Sequence, residues 1–149
     1  MKRKESTYYP EQKLIVTHVS GELDTQDIED WRLSLMQIFE KLPDHSRFKI
    51  LVDLHGFRAT NFEAHKQFRV IIPLALANCG WYIGYLRLFP ETQITIQSAR
   101  GIHCVAAAHV HHDENKIANY ATNYSMHNER FFTDSQVARN WIDSIAVPD

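Results

Sequence analysis

Residues 49–56, Lys-Ile-Leu-Val-Asp-Leu-His-Gly, constrain this chain more than any other stretch. Ile50 to Leu54 is an apolar, partly β-branched run with a single carboxylate, the pattern of a short strand buried on both faces, and it stops at Gly56. A carboxylate at the end of such a run is out of place in a core. Asp53 is therefore expected where the strand emerges into a loop. In open α/β sheets that rim, at the carboxyl ends of the strands, is where binding sites gather.

The flanking sequence alternates strand and helix patterns. Tyr8-Tyr9, the turn Pro10–Lys13 and Leu14–Val19 read as strand, turn, strand, with Gly21 ending the second. Over 24–42, Ile28, Trp31, Leu35, Ile38, Phe39 and Leu42 draw one helical stripe. Asp24 is its N-cap, Leu23 and Ile28 form a staple, and Pro43 stops it. Thr60-Asn61-Phe62-Glu63 reads as a capping box for a helix running to about Cys79, with Gly80 as its end. Pro73 must kink or split that helix, because its ring clashes with the carbonyl four residues back.

Residues 83–89 and 94–97 are expected as two strands around Pro90–Gln93. Ile102–Val110 is a strand that runs into His-Val-His-His-Asp, and Asp113 caps a helix reaching Tyr124. Arg130–Phe132 is a short strand. Thr133–Gln136 is a second capping box, with Phe132 and Val137 as its staple, before a final helix carrying Ala138, Trp141, Ile142 and Ile145. The expected fold is one α/β domain over 1–149: a mixed β-sheet with an N-terminal hairpin, packed against about four α-helices. Residues 1–5 are expected to form a disordered basic tail.

A chain of 149 residues can bury a core without staples. Its 16 Lys and Arg against 18 Asp and Glu give a net charge of −2, which argues against nucleic-acid binding through phosphate neutralisation. The longest apolar stretch, Val70–Cys79, is too short to span a membrane and contains Pro73. Cys79 and Cys104 lie in apolar surroundings with no CxxC spacing, as small core residues of a reducing compartment. A soluble cytoplasmic protein is the expectation.

Two groups could carry chemistry. On a strand His109 and His111 would point the same way, roughly 6–7 Å apart, and with Asp113 could approach a divalent ion. Asp53, His55 and His109 could instead form a carboxylate–imidazole pair at the rim. Neither set is complete. A metal wants a further ligand in firm geometry, and no activated nucleophile or phosphate-cradling glycine loop accompanies the histidines. The reading is therefore non-enzymatic, with no metal and no cofactor. Arg58, in the loop before the capping box, could meet a phosphate or carboxylate at the helix start. Trp81, Tyr82, Tyr85, Phe89 and the apolar segment around Pro73 could line a cavity or a partner groove, or fill the core.

The leading hairpin, Gly21-Glu22-Leu23-Asp24 entering a Trp-bearing helix, Leu51-Val52-Asp53-Leu54-His55-Gly56, and the ending Arg130-Phe131-Phe132-Thr133-Asp134 with Ala138 and Trp141-Ile142 together resemble the SpoIIAA-like branch of STAS domains. The order of these motifs covers nearly the whole chain outside 82–97. The resemblance implies a regulatory domain that engages a protein partner without catalysis, with a homodimer among the options. The alternative is a carrier of an apolar or lipid-like small molecule, held in a cavity beneath the Pro73-broken helix. In anti-sigma-factor antagonists a switch serine follows the Asp-x-x-Gly strand end. Asn61 and Phe62 fall at those positions here, so the phosphoswitch is not expected. The candidate ligand or partner residues are Asp53, His55, Arg58, Thr60, Asn61, His109 and His111.

Overall fold

Alternation at the N-terminus builds a longer hairpin than its two tyrosines suggest. In the computed structural model, which describes residues 2–81, 83 and 96–148, β1 (Arg3–Tyr9) pairs antiparallel with β2 (Leu14–Leu23) from Arg3↔Ser20 to Tyr9↔Leu14. The basic segment is therefore not a disordered tail. Lys2 and Lys4 donate to the Asp27 carboxylate at 2.6 and 2.8 Å, and Lys4 reaches Asp30 at 2.9 Å. Strand alternation turns Lys4, Ser6 and Tyr8 toward the first helix, which gives the charges partners.

Gly21 does not end β2. The strand pairs with β3 (Arg47–Asp53) over Leu14–His18, then with β4 (Phe57–Ala59) over Gly21–Leu23. Gly21 has φ of +86°, which lets the strand turn from one partner to the other. Helix α1 (Thr25–Lys41) starts as expected at Asp24, whose carboxylate accepts from the Asp27 N–H while Asp27 accepts from the Asp24 N–H.

The second helix is split. α2 (Phe62–Arg69) and α3 (Ile71–Ala77) meet at Val70, where Pro73 has no N–H to give the Arg69 carbonyl. Its cap is Asn61, whose Oδ1 accepts from the Ala64 N–H at 2.9 Å, and not Thr60. The Thr60 N–H is already committed to the Leu23 carbonyl as the chain leaves β4. The same one-residue correction applies to α5 (Ser135–Asp143). Asp134, not Thr133, accepts from the Gln136 and Val137 N–H groups, a carboxylate being the stronger acceptor. Val137 is 52% exposed and forms no staple. β5 (His103–Val110), α4 (Glu114–Tyr124, capped by Asp113) and β6 (Glu129–Phe132) lie where expected.

The mixed sheet runs β1-β2-β3-β5-β6, with β4 beside the end of β2, and among the described strands the β1–β2 pair is antiparallel and the others parallel. From β2 onward each parallel crossover steps in the same direction across the sheet. Among the described residues, right-handed crossovers then place α1, α2–α3 and α4 on one face, and α5 returns to the other. The core divides accordingly. Ile15, Trp31, Phe48, Ile50, Val52 and Leu76 belong to the larger cluster, and Leu14, Leu51, Ala106, Ala108, Val110 and Ile142 to the smaller. Trp31 pins α1 down: its Nε1 donates to Thr17 Oγ1 at 2.6 Å and its ring stacks at 5.2 Å on Phe68, which stacks on Phe57 at 4.1 Å. Beneath the sheet the buried Lys49 ammonium donates to the Ile142 and Ile145 carbonyls, satisfying the end of α5.

The two strands expected at 83–89 and 94–97 fall largely outside the described residues, as do Tyr82, Tyr85 and Phe89. Trp81 is buried in the larger cluster. Among the described residues no helix is long and apolar enough to cross a membrane.

Candidate functional site

Parallel pairing brings Asp53 and His109 to the same end of the sheet, the carboxyl end, as expected. It does not bring them to the same face. The β3–β5 register shifts after Phe48↔Cys104, so that Lys49 pairs with Ala106 and Val105 is left over. Asn128 Nδ2 donates to the orphaned Val105 carbonyl at 2.7 Å. Beyond this bulge Val52 pairs with His109 and Asp53 with Val110. Paired residues of adjacent strands share a face, so the expected Asp53–His109 pair is replaced by two separate groups.

On the α5 side Asp53 Oδ1 accepts from the His55 N–H at 3.0 Å, and Oδ2 lies 3.8 Å from His18 Nδ1. The His55 ring stands edge-on to His112 at 5.9 Å, and His112 stacks on His111 at 4.3 Å. The Gly56 N–H donates to His112 Nδ1, and the Asp113 N–H to His111 Nδ1, each at 3.0 Å. The positive φ of Gly56, +85°, is what turns the chain tightly enough for the first contact. Burial pushes His18 below the usual imidazole range, the Asp53 carboxylate opposing it. Burial, then the Lys116 ammonium, pushes His111 down to about 4.

On the other face a cavity of about 80 Å³ opens between the α2–α3 break, the ends of β3 and β5, β6 and α4. Leu54, Phe68, Ile72, Ile117, Tyr120 and Phe131 form its apolar walls. His65, Arg69, His109, His111 and Lys116 complete its lining. His109 stacks on Phe131 at 4.8 Å and its Nε2 meets Glu129 Oε2 at 2.9 Å, with Glu129 wholly buried. A buried carboxylate needs such a partner. Burial, with Lys116 and Arg69 adding to it, pushes His65 down. Burial also pushes Lys116 down, against the pull of Asp113, and its ammonium lies 5.7 Å from the Tyr120 ring centre.

Of the expected residues, His109 and His111 line this cavity. Asp53 and His55 lie beside it on the opposite face. Arg58 sits in β4 opposite Glu22, the Thr60 N–H donates to the Leu23 carbonyl and Asn61 caps α2, and none of the three lines the cavity. His111 lies beyond the end of β5, not in a strand alternating with His109, which undoes the same-face premise of a His109–His111–Asp113 ion site. No group of three or more His, Cys, Asp or Glu among the described residues could hold a metal ion.

Sequence reasoning missed His65, Arg69, Lys116, Tyr120 and Glu129. The signal was present. His65 and Arg69, and Lys116 and Tyr120, are each four apart on a helix and interleaved with buried Phe68 or Ile117, so each pair shares the inward stripe. Glu129 precedes Phe131 by two in a strand and must share its face. No family model, no curated protein and no solved structure matches this chain.

Proposed function

We propose that this domain is a non-catalytic, STAS-like regulatory module whose ligand site is the rim cavity. The supporting observation is the cavity's position: it lies beneath the helix that Pro73 divides, at the carboxyl ends of parallel strands, where open α/β sheets bind ligands. Of the two expected readings this position favours the small-molecule carrier, in a smaller form than the several hundred cubic ångströms expected of a carrier's cavity. At about 80 Å³ the site suits a compact molecule; an acyl lipid needs several hundred cubic ångströms. Two features support binding over catalysis. Burial pushes the Cys79 thiol up to about 11 and Cys104 well above its usual range, so neither is a nucleophile. His109, although it lines the cavity, has its Nε2 engaged by the Glu129 carboxylate and its ring stacked on Phe131.

A protein partner is the second reading, favoured by the exposed Leu33 on α1 and Leu74 on α3, 46% and 42% accessible. Native mass spectrometry of the chain purified from its own host separates the two. The ligand reading expects one small molecule per chain, lost in Ile117→Trp, which fills the cavity. A bare chain co-purifying with a stoichiometric protein, unaffected by Ile117→Trp but lost in Leu74→Asp, would favour the partner.

A further inference from the structure

We infer that the outer edge of β1 pairs with the same edge of a second copy, antiparallel about a two-fold axis, so that two sheets join into one.

β1 is the outer strand of the sheet, and among the described residues no strand pairs with its far side. The ladder determines which backbone groups that edge presents, because they alternate sides along a strand. The Lys49 N–H donates to the Lys13 carbonyl, so Lys13, Ile15 and Thr17 turn their backbone groups to β3. Leu14, Val16, His18 and Ser20 turn theirs to β1, where they meet Tyr9, Thr7, Glu5 and Arg3. The N–H and C=O groups of Lys4, Ser6 and Tyr8 therefore face outward. Edge strands that stay single are commonly blunted by proline, bulges or charge. The β1 register runs unbroken from Arg3 to Tyr9, and Pro10 lies beyond its end. Its charges are paired within the chain, Lys4 with Asp27 and Asp30, and Arg3 with Glu5 at 2.6 Å.

The strand complements itself in one register. Setting Ser6 opposite Ser6 of the second copy sets Lys4 opposite Tyr8, and the three outward residues of each copy then close about six backbone hydrogen bonds. On the open face Arg3 meets Tyr9 and Glu5 meets Thr7, cation against ring and carboxylate against hydroxyl. Tyr9 is 39% exposed, with Arg139 of its own chain 5.2 Å from the ring centre. Sliding the copies by two residues one way puts Glu5 opposite Glu5, like charges face to face. Sliding them the other way puts Lys4 opposite Pro10, which has no N–H to give.

An edge this short makes a weak dimer. Sedimentation velocity on the full chain, from about 1 to 500 μM, should show reversible monomer–dimer exchange. Hydrogen exchange at the Lys4, Ser6 and Tyr8 amides should slow as the dimer fills. Thr7→Glu places a second carboxylate opposite Glu5 at both symmetry-related pairs and should weaken the dimer roughly tenfold, whereas Thr7→Lys should strengthen it several-fold. Thr7 is exposed, so both variants keep the monomer fold. A dimer that ignores the sign of the charge placed at Thr7, or that leaves the Ser6 and Tyr8 amides unprotected, overturns the inference. A chain that stays monomeric throughout also overturns it, and leaves a strand from another protein as the occupant of this edge.

Discussion

His111 stacks on His112, and its Nδ1 accepts from the Asp113 N–H, an arrangement that requires that nitrogen to be unprotonated. The consequence for His111 can be followed with pH. In the unfolded chain it takes up a proton below about pH 6.5, whereas in the fold it does so only at about 4. Between those values the unfolded state binds more protons, so stability is full above about 6.5 and falls as pH drops toward 4. Burial of His18 and His65 adds to the loss in the same direction. His111→Asn, which retains an acceptor for the Asp113 N–H, should flatten the profile. Urea midpoints across that range measure it, and an unchanged acid slope would show that His111 titrates normally. At this scale the sequence gathered Asp53, His55, Arg58, Asn61 and His109 at one rim, and the parallel pairing does bring Asp53 and His109 to one end, but the sequence could not assign their faces. Facing depends on the unpaired Val105, and an extra residue in a strand of alanines leaves no mark in the pattern.

Elements were legible where periodicity was strong and caps were charged. α1, β3, β5 and α4 lie within a residue or two of their expected bounds, because an apolar stripe, a buried run and an Asp cap all point the same way. The two Thr caps were misplaced by one residue because a stronger or better-placed acceptor, Asn61 or Asp134, stood beside each. The N-terminal strand was hidden by its charges, which are paired only once α1 is in place. Pro73 was legible as a break, and the structure puts that break at Val70, whose φ of −97° and ψ of −11° stay near helical values. Pro73→Ala should therefore join α2 and α3 with little movement. The regained backbone bond, about 1 kcal/mol, is offset by the greater freedom of the unfolded chain, about 0.4–1 kcal/mol. Net stability should change by less than about 1 kcal/mol, while ligand affinity at the cavity beside the break falls. Denaturant titration alongside ligand binding tests this. A large stability gain with binding unchanged would make the proline a simple helix boundary.

Among the described residues, one-directional right-handed crossovers explain why one face carries α1 to α4 and the cavity while the other carries α5. That asymmetry leaves two candidate recognition regions on the crowded face: the cavity between α2–α3 and α4, and the α1–α3 surface bearing Leu33 and Leu74. A fragment screen read by methyl NMR of the isoleucines and leucines separates them in one measurement. If the cavity is the ligand site, compact fragments shift Leu54, Ile72 and Ile117 and leave Leu33 and Leu74 unmoved. Hits confined to Leu33 and Leu74, with the cavity methyls silent, would contradict the account.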